Sequence, residues 1–452
     1  MHDLFLIGFL GALLVAGFRR PFLFVLGYVY VDIVAPQHLS YYLLNSIPIS
    51  LIFFVAAVGS WMMTGDKKAA TFGPRQAAML ILLLYCFVTT ANADFPMEAQ
   101  EKWSWVWKSL IFAIFLPLTL TTRLRIEALA VFMTLSAASI IIVGGIKTLS
   151  SGGGYGVLNL MSSSNTGLYE SSTLACIAIA LIPLILYLMR NGTIFPPEWR
   201  VTAFCLALSF ACLLIPVGTE ARTGLICIAV LGVLMLRATK RRFLYISIVG
   251  ALAIISLPFL PDSFTKRMDT LNEVQSDQSA STRLAVWKWT LDYVGDHPFG
   301  GGFDAYRGNS FRYETKPADS FDAARGTSQS AVVVQDQARA YHSAYFEMLG
   351  EQGWLGLSIW LFIQLGGLVR MEVLRRRYRH SPVGDDQWIS QLATALQHGN
   401  IIYLIGAAFV GIAFQPFIYM LVGMQIGLDS YARRRRRAKT HNPLFATAKP
   451  GA

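Results

Sequence analysis

The longest polar interval of the chain, from Pro261 to Gly356, ends in the stretch YHSAYFEMLGEQGWLG, residues 341–356. On both sides of this interval the sequence consists of long and continuously apolar runs. Continuous apolar runs of about 20 residues are typical of helices that cross a membrane, whereas the strands of a membrane barrel alternate polar and apolar residues. The stretch therefore predicts a polar loop held between two sets of membrane helices.

The composition supports a membrane protein. Of the 452 residues, 54% are hydrophobic and only 14% are charged, whereas the charged fraction of a soluble domain is about 25%. Because backbone groups must be paired internally in hydrocarbon, these runs predict an all-α polytopic protein with 12–13 transmembrane helices and one large outer loop that contains short helices. Thirteen crossings place the N-terminus outside. Twelve, if one short N-terminal segment does not span, place both ends inside.

The net charge of +11 does not indicate a nucleic-acid partner, because Lys and Arg cluster in short loops and at the C-terminus. This positive-inside pattern places those loops in the cytoplasm and the polar interval on the other side. The last cluster, Arg433–Arg437, is suited to contact with anionic membrane lipids. We predict four parts: 1–259, an N-terminal transmembrane bundle; 260–341, an outer loop domain; 342–432, C-terminal transmembrane helices; and 433–452, a basic cytoplasmic tail.

Local patterns refine this division. The apolar run 400–431 is interrupted by Gln415-Pro416 and is predicted to cross twice, because proline is poorly accommodated inside a helix. A further crossing is predicted at 243–259. Apolar residues at helical spacing predict a helix over 282–293, and the segment 307–340, rich in Ser, Ala, Asp and Arg, is interpreted as a mobile cover for a site.

Several kinds of site lack the residues they need. The five cysteines lie in apolar runs without CxxC spacing, and the seven histidines show no HExxH pattern, so we expect no metal and no cofactor. A GxSxG motif for a serine hydrolase is absent. Carboxylates for an ion relay are also scarce in the apolar runs, where Asp32 and Glu170 lie near segment ends.

Three basic groups lie on the predicted outer side, against the charge rule: Arg222, Arg283 and His342. Each Arg alone fits an interface anchor or an ion pair with a nearby carboxylate such as Glu220, and a lone His fits a structural role. Together they suit a different chemistry, because guanidinium groups bind phosphate oxygens bidentately and a neutral imidazole accepts a proton from a hydroxyl. The set predicts a reaction in which a hydroxyl attacks and a lipid-anchored pyrophosphate leaves.

The same region resembles a known family. Arg283 with Trp287, the turn HPFGGGF at 297–303, HSAY at 342–345 and EQGWLG at 351–356 are similar to the shared region of the O-antigen ligase and O-antigen polymerase superfamily. The N-terminal part also resembles the exosortase-associated O-glycosylation ligase branch. The superfamily resemblance implies a GT-C-like enzyme of the bacterial inner membrane that acts at the periplasmic face, without metal, on a glycan carried by undecaprenyl pyrophosphate.

The resemblance also implies roles for individual residues. His342 is expected to be the base, and Arg222 and Arg283 are expected to hold the pyrophosphate of the donor. Three further residues are candidates for supporting roles: His297, Tyr345 and Glu220.

Within the superfamily three acceptors compete. A hydroxyl of the lipid A-core oligosaccharide makes the enzyme a ligase, which we favour. A growing glycan makes it a polymerase, and a protein Ser or Thr makes it an O-oligosaccharyltransferase. An alternative from another class is a flippase or transporter of lipid-linked glycan.

Overall fold

The computed structural model describes residues 2–44, 46–65, 70–158, 167–237, 278–315, 332–381 and 386–441. The crossing predicted at 243–259 and the first part of the polar interval, 261–277, lie outside these ranges.

The described residues are mainly helical. We number the helices in chain order: α1 His2–Arg19, α2 Phe22–Val34, α3 Pro36–Leu39, α4 Ile49–Met63, α5 Pro74–Ala91, α6 Pro96–Thr119, α7 Arg123–Ser151, α8 Ser171–Asn191, α9 Trp199–Gly218, α10 Arg222–Leu236, α11 Gln278–Asp296, α12 Ala344–Tyr378, α13 Gln387–Gly406 and α14 Pro416–His441. Among them α5, α7, α8, α9 and α12 are long and apolar enough to cross a membrane, and α2, α4 and α10 are shorter apolar helices. The chain is therefore an all-α polytopic membrane protein, as predicted.

The first two helices form a hairpin. Near the start of α1, the carboxylate of Asp3 accepts hydrogen bonds from Ser40 Oγ at 2.9 Å and from the Tyr41 amide at 3.2 Å, just beyond α2 and α3. The start of α1 and the end of α2 therefore lie at the same end of the bundle, and the two helices run side by side. The number of membrane crossings, and the four predicted parts of the chain, remain predictions.

The predicted break in the run 400–431 is confirmed, since α13 ends at Gly406 and α14 begins at Pro416. However, α13 begins well before the apolar run, at Gln387. Its polar residues Gln397, His398 and Asn400 are buried against neighbouring helices. A hydropathy pattern does not reveal a helix segment whose polar side chains pack against other helices instead of facing lipid.

The basic cluster belongs to a helix. α14 continues through Arg433–Arg437 to His441, and the guanidinium of Arg435 is paired with Asp386. The Arg434 guanidinium donates to the carbonyl of Leu120 at 3.2 Å. The segment predicted as a tail, 433–452, therefore begins as the last turns of α14.

The polar interval contains a helix and a ribbon. The helix predicted at 282–293 is confirmed and extends over the whole of α11. Strands β1 (Ser310–Thr315) and β2 (Val332–Gln337) pair antiparallel, with Ser310 opposite Gln337. These strands lie within the segment 307–340, which was interpreted as a mobile cover for a site, and the β-branched valines of β2 favour a strand. That the segment is mobile and covers a site remains a prediction. Residues 316–331 lie outside the described ranges.

Candidate active site

A cavity of about 690 Å³ opens where several helix ends converge. Its wall is built from the end of α2, the first turns of α6, α8 and α12, and the loop between α13 and α14. His342 lies in this wall, immediately before α12. The helix ends thus converge on the residue that the sequence predicted as the base.

The backbone holds His342 in an unusual conformation. Its φ of 47° lies in the left-handed region, which is strained for a residue with a side chain. The flanking residues are fixed, because Trp287 Nε1 donates to the Tyr341 carbonyl at 2.9 Å and the Ala344 amide donates to the Ala407 carbonyl at 2.8 Å. Strain at a residue held from both sides is typical of a functional position.

Helix α11 brings Arg283 to the same place. The Trp287 ring stacks on Phe346 in α12, with centroids 4.8 Å apart and an interplanar angle of 4°. Arg283 lies four residues before Trp287, on the same face of α11. Burial lowers the pKa of His342 below its ordinary value of 6.5, and the positive charge of Arg283 lowers it further. The structure therefore brings these two predicted site residues together.

Arg222 lies at the same end of the bundle but outside the cavity wall. It begins α10, and Cys227 in that helix lies 3.8 Å from the Ile402 carbonyl of α13. The end of α13 contacts the residues after His342, so Arg222 and His342 share one end. Glu220 precedes Arg222 in the turn between α9 and α10, where its φ is 51°.

Two of the supporting candidates contribute to packing. The His297 ring is exposed and stacks on Tyr293, with centroids 4.4 Å apart. Tyr345 Oη donates to the Leu404 carbonyl at 2.9 Å and so joins α12 to α13. Neither side chain is among those that line the cavity.

The turn at 297–303 holds the start of α12 through its backbone. The Gly302 amide donates to the Glu351 carbonyl at 3.0 Å. At Gly353 the φ is +63°, and an added Cβ would lie 2.2 Å from the Pro298 carbonyl. Close backbone contact thus explains the glycines at 300, 302 and 353.

The structure contains a buried charge cluster that the sequence did not predict. Lys102 Nζ lies 2.7 Å from Glu347 Oε1, 2.7 Å from Glu351 Oε1 and 3.9 Å from Asp304 Oδ1. Glu351 Oε1 also accepts the Asp304 amide at 3.1 Å, and Glu347 Oε2 accepts the Ala413 amide at 3.0 Å. The sequence contained one signal of this cluster, the spacing of Glu347 and Glu351. Carboxylates four residues apart lie on one helix face, and when they are buried they require a cation there.

The structure also places Asp32 and Glu170 in the cavity wall. The carboxylate of Glu170 caps α8, where it accepts the amides of Ser172 at 3.1 Å and Thr173 at 2.6 Å. Within the described part of the chain, Oδ2 of Asp32 is buried without a hydrogen-bond partner. Both residues were noted in the sequence only as lying near segment ends.

Among the described residues, no group of three or more His, Cys, Asp or Glu side chains is arranged to hold a metal ion. The expectation of a reaction without metal or cofactor remains a prediction.

Comparisons with known protein families give a match over the region that holds the predicted site. Residues 204–361 match a family model described as O-antigen ligase, and this range contains all six predicted site residues. Residues 1–193 match a family of unknown function, DUF5935, so the resemblance to the exosortase-associated branch remains a prediction. A comparison with curated proteins gave no match. Residues 204–361 thus form a region that is similar to the O-antigen ligase family.

Proposed function

We propose that the protein is a glycosyltransferase of the O-antigen ligase type. It moves a glycan from undecaprenyl pyrophosphate to a hydroxyl of the lipid A-core oligosaccharide, at the periplasmic face of the bacterial inner membrane. The observation that carries the proposal is the position of His342, which is strained, lines the cavity and lies in the field of Arg283.

The residues suit direct displacement. The acceptor hydroxyl oxygen attacks the anomeric carbon, the bond from that carbon to the pyrophosphate oxygen breaks, and the imidazole of His342 takes the hydroxyl proton. A lowered pKa keeps His342 neutral near pH 7, as a base must be. Arg283 and Arg222 stabilise the negative charge on the leaving pyrophosphate. Direct displacement inverts the anomeric configuration.

The distribution of basic residues supports the periplasmic location. Arg19, Arg190 and Arg375–Arg377 lie at the helix ends away from the cavity. The positive-inside rule assigns those ends to the cytoplasm, which leaves the cavity on the periplasmic side.

The test uses the purified protein in nanodiscs with an undecaprenyl-pyrophosphate-linked glycan. One of three acceptors is added: lipid A-core, a second molecule of lipid-linked glycan, or a Ser/Thr peptide. We expect covalent transfer to lipid A-core, seen as a mass shift. Transfer only to the second glycan or to the peptide would make the protein a polymerase or a protein O-oligosaccharyltransferase. Movement of the donor across proteoliposomes without any covalent product would make it a flippase.

A further inference from the structure

Charged groups surround His342 from several elements. The guanidinium groups of Arg283 on α11 and of Arg339, which follows β2, both oppose a positive charge on the imidazole. Glu170, at the start of α8, favours that charge. Arg222 begins the neighbouring α10. The other charged groups of the cavity wall lie on α2, α3, α6, α12 and the 304–307 turn: Asp32, His38, Glu101, Lys102, Asp304, Arg307, Glu347 and Glu351.

The fold brings Glu170 and His342 to the cavity from neighbouring helix ends. The start of α8 packs on the end of α13, where a Cβ added to Gly406 would lie 2.4 Å from Cys176 Sγ. The residue that follows α13 is Ala407, and its carbonyl accepts the Ala344 amide, two residues after His342. Both Glu170 and His342 then line the same cavity.

The carboxylate of Glu170 is held in place. Its two oxygens accept the Ser172 and Thr173 amides at the start of α8, a helix end whose dipole favours negative charge. A carboxylate oxygen can accept more than one hydrogen bond. The two capping bonds therefore do not prevent the Glu170 carboxylate from interacting with groups in the cavity.

We propose that Glu170 is a positioning residue for the transfer reaction, whose fixed carboxylate compensates the positive charge that forms on His342. This inference rests on the proposed function. When His342 takes the hydroxyl proton, an O–H bond breaks, an N–H bond forms and the imidazole gains one positive charge. Without Glu170, the imidazolium would form beside Arg283 and Arg339 in a partly buried site, where like charges repel strongly.

The experiment removes the charge and keeps the cap. The side chains introduced by Glu170→Gln and Glu170→Asn are both neutral. Because Asn is a strong N-cap residue, Glu170→Asn is used if the Glu170→Gln protein does not fold. Glu170→Asp keeps both the charge and the cap and is the matched control. The first measurement is an NMR titration of the full-length protein with labelled histidine in nanodiscs, in which the His342 signal is identified by its loss in His342→Gln. The second is the pH profile of kcat.

We expect the neutral variants to lower the pKa of His342 by about 0.5–1 unit, because a favourable charge within reach of the imidazole is lost. The acid limb of the pH profile should move to lower pH, and its plateau should fall several-fold because the base is weaker. Glu170→Asp should restore both. A merely structural cap would move neither the His342 pKa nor the limb.

An unchanged His342 pKa in both neutral variants would overturn the inference, and so would a lowered pKa with an unchanged plateau. The pKa is measured without substrate, so failure of the proposed function is seen separately. If the proposed function is wrong, the wild-type protein transfers no glycan, even where the Glu170 variants change the pKa of His342.

Discussion

Two polar regions line the same cavity, one around His342 before α12 and one that includes the first turns of α12, and they are built differently. Around His342, the positive charges of Arg283 and Arg339 converge on a strained imidazole. Around Lys102, one cation is surrounded by the carboxylates of Glu347, Glu351 and Asp304. The first region places two arginines and the Glu170 carboxylate around an imidazole, whereas the second places three carboxylates around one lysine.

This difference indicates different roles for the two regions, one in activity and one in stability. Arginines beside a partly buried imidazole favour its neutral form, which a general base needs, and guanidinium groups bind phosphate oxygens bidentately. A buried lysine whose charge is matched by carboxylates stabilises the contact between α6 and α12, and removal of one partner leaves charges unpaired. The comparison therefore predicts that the His342 region controls activity and the Lys102 cluster controls stability.

The largest expected effect is on activity, from His342→Ala. Loss of the base should lower kcat for glycan transfer by at least about 100-fold, since general base catalysis contributes about 10²–10⁴-fold. Removal of one strained, cavity-lining side chain should leave the folded protein intact, as measured by its thermal unfolding temperature in detergent. Near wild-type transfer by a folded His342→Ala protein would remove His342 from the mechanism.

The second effect is on stability, from Lys102→Met. Two buried carboxylates lose their cation, and we expect the free energy of unfolding to fall by about 3–5 kcal/mol. The matched control is Lys108→Met on the same helix, which lies outside the cluster and should change the unfolding temperature much less. If both variants unfold at the same temperature as the wild type, the Lys102 cluster is not structural.

The third effect concerns Arg283 and the pH dependence of the reaction. Because His342 must be neutral, activity should fall as the pH drops through its pKa, which lies below 6.5. Arg283→Gln removes a positive neighbour, so the His342 pKa and the acid limb should rise. Arg283→Lys keeps the charge and leaves the limb in place, but it should lower kcat/KM about tenfold because a bidentate phosphate contact is lost. Equal profiles for Gln and Lys would show that the charge of Arg283 does not reach His342.

The smallest effect is expected from His297→Ala. The His297 ring is exposed, stacks on Tyr293 and does not line the cavity, so the change should cost about 1 kcal/mol of stability or less. Transfer activity should stay within about twofold of the wild type. A large loss of kcat with unchanged unfolding temperature would extend the functional region beyond the cavity.

Much of the fold was accessible from local patterns, because an apolar run records contact with lipid wherever it occurs. The break at Gln415-Pro416 was also local, since proline limits the helix in which it stands. The beginning of α13 was not, because the partners of its buried polar residues come from other helices. Pairing between β1 and β2 was likewise hidden, since a ribbon depends on two segments and not on one.

For the site, the sequence by itself determined which residue types were available on the predicted outer side: one imidazole and two guanidinium groups, with motifs that resemble one superfamily. It also determined the helices that carry them. Only the tertiary structure placed Lys102 against Glu347, 245 residues away, and set Glu170 in the same cavity wall as His342. The physical reason is that hydropathy and helical period act over a few turns, whereas ion pairs and fields depend on distance in space, whatever the separation along the chain.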